Sequence, residues 1–220
     1  MSDRTPFQSI SGDDALTSPI LSDALDAVGR RGQVLPVGLH PLTVGSRAMG
    51  RAVTLQFAPS ATDGANPYDD SISFIDALTA GSFVVIATDG SARSAFWGEL
   101  FSAAALGHGA VGLVCDGAVR DTPKIIGLGF PVFARSRHPL DYRARMKIVA
   151  SNAPVVLAGV SVYPGDLIFA DDDGVVVIPQ EVEEQVLAQA RARASAESTV
   201  LSELLAGDNL RTVWERHGIL

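Results

Sequence analysis

The stretch Glu99–Ala134, ELFSAAALGHGAVGLVCDGAVRDTPKIIGLGFPVFA, decides the fold. Glu99–Leu106 reads as a helix closed by Gly107, and Gly112-Leu113-Val114-Cys115 is a short apolar run of the kind buried strands carry. Asp121–Leu128 reads as a second, short helix, and Pro131–Ala134 as the next strand. Just upstream, Gly81 precedes another apolar run, Phe83–Ala87. Strand, helix, strand, helix, strand in that order favours an α/β core with locally parallel pairing.

Working outward, Ser18-Pro19 resembles a cap with proline in the first turn, and Ile20, Leu21, Leu25 and Val28 recur at helical spacing up to Gly29. Arg51–Phe57 alternates like a half-buried strand, Pro59–Asp69 is a Pro/Gly/Asn/Asp loop, and Ser71–Leu78 is a helix. After Pro139 the character changes. Val155–Val160, Asp166–Ala170 and Val175–Ile178 read as short strands separated by Pro164-Gly165-Asp166 and Asp172-Asp173-Gly174, the latter a hairpin signal. Glu181–Ala206 is one long helical pattern closed by Gly207, and Asn209–Arg216 a shorter one. A mixed sheet or two stacked sheets with helices on one side is the economical architecture, within a single domain spanning 1–220 and C-terminal helices over 181–220.

Composition narrows the function. The 220 residues carry a net charge of −8, which argues against a nucleic-acid backbone as partner but leaves room for a small anion held by one Arg and a helix N-terminus. The single cysteine, Cys115, rules out disulfides and Cys-based zinc sites, suits a reducing cytosol, and reads as a small core residue. Met1–Pro6 has no apolar leader, and no run reaches the ~20 residues needed to span a bilayer, so a cytoplasmic protein is expected. Gly107-His108-Gly109-Ala110-Val111-Gly112 spells G-x-G-x-x-G. It closes a helix and leads into a strand, the reverse of the dinucleotide fingerprint, so it reads as cap and turn.

The chemistry concentrates at Gly98-Glu99-Leu100-Phe101 and, after a gap of twenty residues, Arg120-Asp121. A helix running out and a strand running back place both points at one end of the unit, where open α/β sheets bind ligands. Free N–H groups of Leu100 and Phe101 suit a substrate carboxylate. Arg120 offers a fork to a carboxylate and a keto oxygen. Asp121 is a hard oxygen ligand for Mg²⁺ or Mn²⁺, with Glu99 acting through water. The same pattern also fits two helix N-terminal acids favoured by the macrodipole, with Arg120 pairing with one of them. Lys124 and Lys147, the only lysines, define a Schiff-base rival. Asp171-Asp172-Asp173 reads as a solvated turn, and His40, His108 and His138 as loop residues.

Gly98-Glu99-Leu100, the twenty-residue gap and Arg120-Asp121 resemble the signature of the RraA-like family, which includes 4-hydroxy-4-methyl-2-oxoglutarate/4-carboxy-4-hydroxy-2-oxoadipate aldolases and regulators of ribonuclease E. Ser22–Asp26, Gly50–Thr54, Val114–Asp121, Gly129–Ala134 and Pro164-Gly165-Asp166 with Asp171–Val175 extend the resemblance over nearly the whole chain. The resemblance implies a three-layer β/β/α sandwich of the swivelling phosphohistidine-domain type and a homotrimer or hexamer with active sites between subunits. It implies a small 2-oxo acid as substrate, with Arg120 on pyruvate, Asp121 on Mg²⁺ or Mn²⁺, and Glu99 holding metal waters. Glu197 of a neighbouring subunit is expected near those waters, and Asp23 and Asp70 near the pocket. A class II aldolase with oxaloacetate decarboxylase activity follows. The alternative is a non-catalytic regulator binding ribonuclease E, a branch that lacks both acids present here. Methyltransferase chemistry finds no glycine loop to support it. The aldolases often carry Asp where this chain has Glu99. The longer side chain shifts its carboxylate by ~1.5 Å, a displacement able to change rate by ~100-fold.

Overall fold

The computed structural model describes residues 15–62 and 66–219. The leader reading of Met1–Pro6 and the centre of the Pro59–Asp69 loop lie outside the described residues. In chain order the elements are α1 (Ser18–Ala27), β1 (His40–Pro41), β2 (Ala48–Pro59), α2 (Asp69–Asp76), β3 (Ser82–Ala87), β4 (Ala95–Trp97), α3 (Glu99–Gly107), β5 (Gly112–Val119) and α4 (Thr122–Leu128). There follow β6 (Val132–Arg137), β7 (Met146–Ser151), β8 (Val155–Leu157), β9 (Val160–Val162), β10 (Leu167–Ala170), β11 (Val175–Ile178), α5 (Glu183–Leu205) and α6 (Leu210–His217).

The parallel unit expected from the sequence is the centre of one mixed sheet, in the order β1-β6-β5-β3-β2-β10-β11. β2, β3, β5 and β6 run parallel, and β1, β10 and β11 join antiparallel. β2 outruns its expected length because its two halves have different partners. Arg51 and its N-terminal neighbours face β10, whereas Leu55–Pro59 pair with β7, with a register shift between Gln56 and Phe57. β3 and β5 are buried at every position, so their sequences run apolar without alternation.

Helices α2, α3 and α4 cover one face through Phe74, Ile75, Ala105 and Ile125, packed with Val84, Ile86, Leu113 and Val119. The β8–β9 hairpin covers the other through Val155, Leu157, Val160 and Val162, against Phe83, Val85, Val114 and Phe133. α1 and α5 bury Leu21, Leu25, Val186 and Ala190 on Phe169, Val176 and Ile178 of β10 and β11.

Several local readings change. Thr17 rather than Ser18 caps α1, through its side-chain oxygen. Ser18 instead donates from both its backbone N–H and its hydroxyl to Asp171, at 2.8 and 2.6 Å. Asp172 accepts from the Gly45 N–H, so this turn, exposed at Asp172 and Asp173 as expected, also ties loops together. Val155–Val160 is two strands, because Ala158 and Gly159 both have positive φ and close a two-residue turn. Short β4 and β7 escaped the sequence reading. β4 is only three residues long, and β7 alternates too weakly around Lys147.

Candidate active site

β4 and β5 run side by side, with Trp97 opposite Val119, and both stop at the same edge of the sheet. Each then passes directly into a helix, β4 through Gly98 to α3 and β5 through Arg120-Asp121 to α4. The Arg120 N–H donates to the Trp97 carbonyl at 2.9 Å, so the two exits are clamped together. A cleft of about 250 Å³ opens there, lined by Trp97, Gly98, Glu99, Leu100, Phe101, Arg120 and Asp121 together with Tyr68, Ile72 and Tyr142. The residues nominated on either side of the twenty-residue gap therefore share one wall.

Gly98 is the N-cap of α3 and provides no side-chain cap, which leaves the first-turn N–H groups of Leu100 and Phe101 available beyond that of Glu99. Its φ of −157° suits any residue; the constraint is space. A Cβ there would stand 2.8 Å from Asp121 Oδ2 and 3.2 Å from Arg120 Cγ. Asp121 itself caps α4 in the left-handed region, at φ 55° and ψ 30°. Asp tolerates that region better than most non-glycine residues. The turn aims its carboxylate back at Gly98 and Glu99, with Oδ2 3.4 Å from the Glu99 N–H. The α3 start is further fixed by Ser102, which donates to the Gly98 carbonyl and accepts from the Trp97 indole.

Arg120 reaches Asp141 with Nη1 at 3.0 Å, while its Nε is 3.8 Å from Asp121 Oδ2. Asp141 also accepts from the Tyr68 hydroxyl at 2.6 Å and from the Arg143 N–H at 3.0 Å. Burial alone would push the Asp141 carboxyl up. The Tyr68 and Arg143 hydrogen bonds, with the Arg120 and Arg143 charges, outweigh burial and hold it below the usual carboxylate range. The Arg143 guanidinium lies 5.2 Å from the centre of the Tyr68 ring. Burial raises the Tyr142 phenol to about 12.

Glu99 pairs with Lys124 Nζ at 2.7 Å. That hydrogen bond holds the lysine above its ordinary range, which keeps an ammonium where a Schiff base needs a free amine. Lys147 lines a separate hollow with Asp70 and Asn66. Asp23 pairs with Arg193, and Glu197 also pairs with Arg193, at 2.7 Å on α5. None of Asp23, Asp70 or Glu197 lines this chain's cleft. His40, His108 and His138 stay outside it too. His40 lies on β1, His108 ends α3, and His138 accepts from the Leu140 N–H.

Sequence reading missed Tyr68, Asp141 and Arg143. Asp141-Tyr142-Arg143 directly after Pro139-Leu140 was the available signal, an aromatic between opposite charges in a connection. Asp116, beside the nominated pair, is structural. It is buried and accepts from the Thr88 N–H and hydroxyl and the Gly90 N–H. Burial pushes the Cys115 thiol up, as a core cysteine requires.

Asp121 suits a hard divalent ion. Its carboxylate is part-exposed, holds a long hydrogen bond and a loose ion pair with Arg120, and faces the space that the missing Gly98 side chain leaves. Among the described residues no three His, Cys, Asp or Glu side chains gather into one cluster. An ion at Asp121 would therefore be completed by water, by substrate or by a group from another chain. No helix among the described residues is long and apolar enough to cross a membrane.

Comparison with known proteins gives the family of the chain. The chain is 32% identical over 195 residues to Protein DlpA of Legionella pneumophila, covering 89% of this chain and 31% of that longer protein. It is 31% identical over 196 residues to a Halalkalibacterium halodurans protein named "Putative 4-hydroxy-4-methyl-2-oxoglutarate aldolase", covering 88% and 86% of the two chains. Streptomyces coelicolor RraAS2, described as an unusual member of the RNase ES inhibitor RraA protein family, superposes with a TM-score of 0.75. It is 28% identical, over 84% of this chain and 90% of that one. The profile of the RraA-like family, described as Aldolase/RraA, matches residues 18–177, and the chain belongs to that family.

Proposed function

We propose that the chain is a divalent-metal-dependent, class II pyruvate aldolase. Its substrate is a 4-hydroxy-2-oxo acid such as 4-hydroxy-4-methyl-2-oxoglutarate, and its products are pyruvate and a second keto acid. Oxaloacetate decarboxylation would use the same enolate. The observation that carries the reading is the meeting of Arg120, Asp121 and Glu99 at the uncapped start of α3. The relative named for aldolase activity supports it.

In this reading Asp121 would hold Mg²⁺ or Mn²⁺ directly, with Glu99, and Glu197 of the partner subunit, acting through water. Bound there, such an ion would supply Lewis acidity to a 2-oxo acid. The α3 N–H groups of Leu100 and Phe101 receive the substrate carboxylate. Glu99 orients the water that takes the 4-hydroxyl proton. The C3–C4 electron pair moves into the C2–C3 bond, the second keto acid departs, and Arg120 balances the enolate charge. Protonation at C3 yields pyruvate. Lys124 must yield its hold on Glu99 for this, a small cost for an exposed pair.

We further propose a cytoplasmic homotrimer or hexamer, with the sheet, the helical face and the β8–β9 hairpin forming the three layers of the swivelling phosphohistidine-domain sandwich. Exposed Leu201, Leu205, Leu210 and Trp214 on α5 and α6 support association. The second reading is a non-catalytic regulator that binds ribonuclease E, supported by the Lys124–Glu99 pair and by the likeness to RraAS2.

The test is pyruvate release, coupled to lactate dehydrogenase, from 4-hydroxy-4-methyl-2-oxoglutarate and from oxaloacetate, with Mg²⁺, Mn²⁺ or EDTA. Metal-dependent release that disappears in EDTA and in Asp121→Ala is expected. Absence of turnover by an intact oligomer would leave the regulator.

A further inference from the structure

Arg120 is the group on which the proposed reaction most depends, and its guanidinium does not stand alone. Its Nη1 is committed to Asp141 Oδ2 at 3.0 Å. Asp141 comes from the connection that follows β6, the strand beside β5, and its position is over-determined. Its backbone bridges Ala95 on β4, and the neighbouring Leu140 carbonyl accepts from the Ala95 N–H at 2.7 Å. Its Oδ1 accepts from the Arg143 N–H, and its Oδ2 accepts from the Tyr68 hydroxyl. The side chain is only 11% exposed, whereas that of Arg120 is 35% exposed. The rigid partner is therefore the acid, and the adjustable one is the arginine.

We propose that Asp141 is a positioning residue. It aims the Arg120 guanidinium so that the remaining N–H groups face the cleft, and Tyr68 locks Asp141 in that orientation. Tyr68 belongs to both structures, since it lines the cleft while its hydroxyl holds Asp141. A guanidinium recognises a planar anion by geometry as much as by charge, so a carboxylate that fixes its rotation fixes the angle of the fork. Asp141 itself does not line the cleft. It acts through Arg120 and takes no proton from substrate. The inference rests on the proposed 2-oxo acid site.

The experiment is a double-mutant cycle read as oxalate affinity by titration calorimetry with saturating Mn²⁺, since oxalate is a planar dianion shaped like pyruvate enolate. Asp141→Asn keeps size and removes the charge that grips Arg120. It is expected to weaken oxalate about tenfold in the wild-type background and to lower kcat more than it raises KM. In the Arg120→Lys background, where no guanidinium remains to be aimed, the same change is expected to cost less than about twofold. Tyr68→Phe, which removes one hydrogen bond to Asp141, is the second variant should Asp141→Asn not fold, and it is expected to follow the same non-additive pattern. Equal losses in both backgrounds would overturn the inference, as would no loss in either. Wild type that binds oxalate but releases no pyruvate would remove the aldolase reading while the same cycle still decides the role of Asp141. Wild type that neither binds nor turns over would overturn both.

Discussion

At Gly98 the backbone conformation is open to any residue, and only the missing side chain matters. Gly98→Ala would push a methyl against the Asp121 carboxylate, the free end of a side chain, so the carboxylate moves rather than the fold. The expected outcome is about a 100-fold fall in kcat/KM with Tm lowered by no more than about 4 °C, measured by coupled assay and thermal melt. Asp141 yields a pH prediction. Its folded pKa lies below the unfolded value, so its stabilisation is present above about pH 4 and is lost as pH falls through the depressed value. The Tm gap between wild type and Asp141→Asn should be full at pH 7 and close below about pH 4; a gap independent of pH would contradict this. Glu99 and Arg120-Asp121 were readable in advance because carboxylates and a guanidinium at helix starts carry their chemistry in their identity. Asp141 was not, because its importance lies in what it touches.

At the scale of the element, α3 and α4 are short helices whose starts matter more than their lengths, and Gly98 and Asp121 set those starts. The β8–β9 hairpin shows the opposite emphasis, since its turn closes a covering layer. Ala158 stands there at φ 48° before Gly159 at φ 94°, a conformation that favours Asn-Gly. Ala158→Asn should stabilise by about 1 kcal/mol and raise Tm by about 2–4 °C, read by calorimetry. The long α5 packs its first turns on α1 through Val186 and Ala190 and leaves Leu201 and Leu205 exposed. Helix periodicity predicted its length. What each stretch faces depends on neighbours distant in sequence.

For the whole molecule, an acidic chain of −8 sets Arg120 in the cleft just past β5, and carries Arg135 and Arg137 on the neighbouring β6 outside the cleft lining. The net charge therefore does not describe the site, where Arg120 shares one wall with Glu99 and Asp121. Sedimentation equilibrium should give a mass three or six times the 23.0 kDa of one chain, and a monomer would contradict the assembly proposed above. The alternation of apolar runs with short helices in Glu99–Ala134 was enough to determine a parallel α/β centre, because burial on both faces leaves a local imprint on composition. The same stretch determined that two acids and an arginine share one sheet edge, since parallel strands entering helices must bring those points together. Only the tertiary structure decided that β2 divides its pairing between β10 and β7, that the acidic turn at Asp171 anchors α1, and that Asp141 grips Arg120. Each of these is a contact between different elements of the chain, and hydrogen bonds and ion pairs of that kind leave no periodic trace in the sequence.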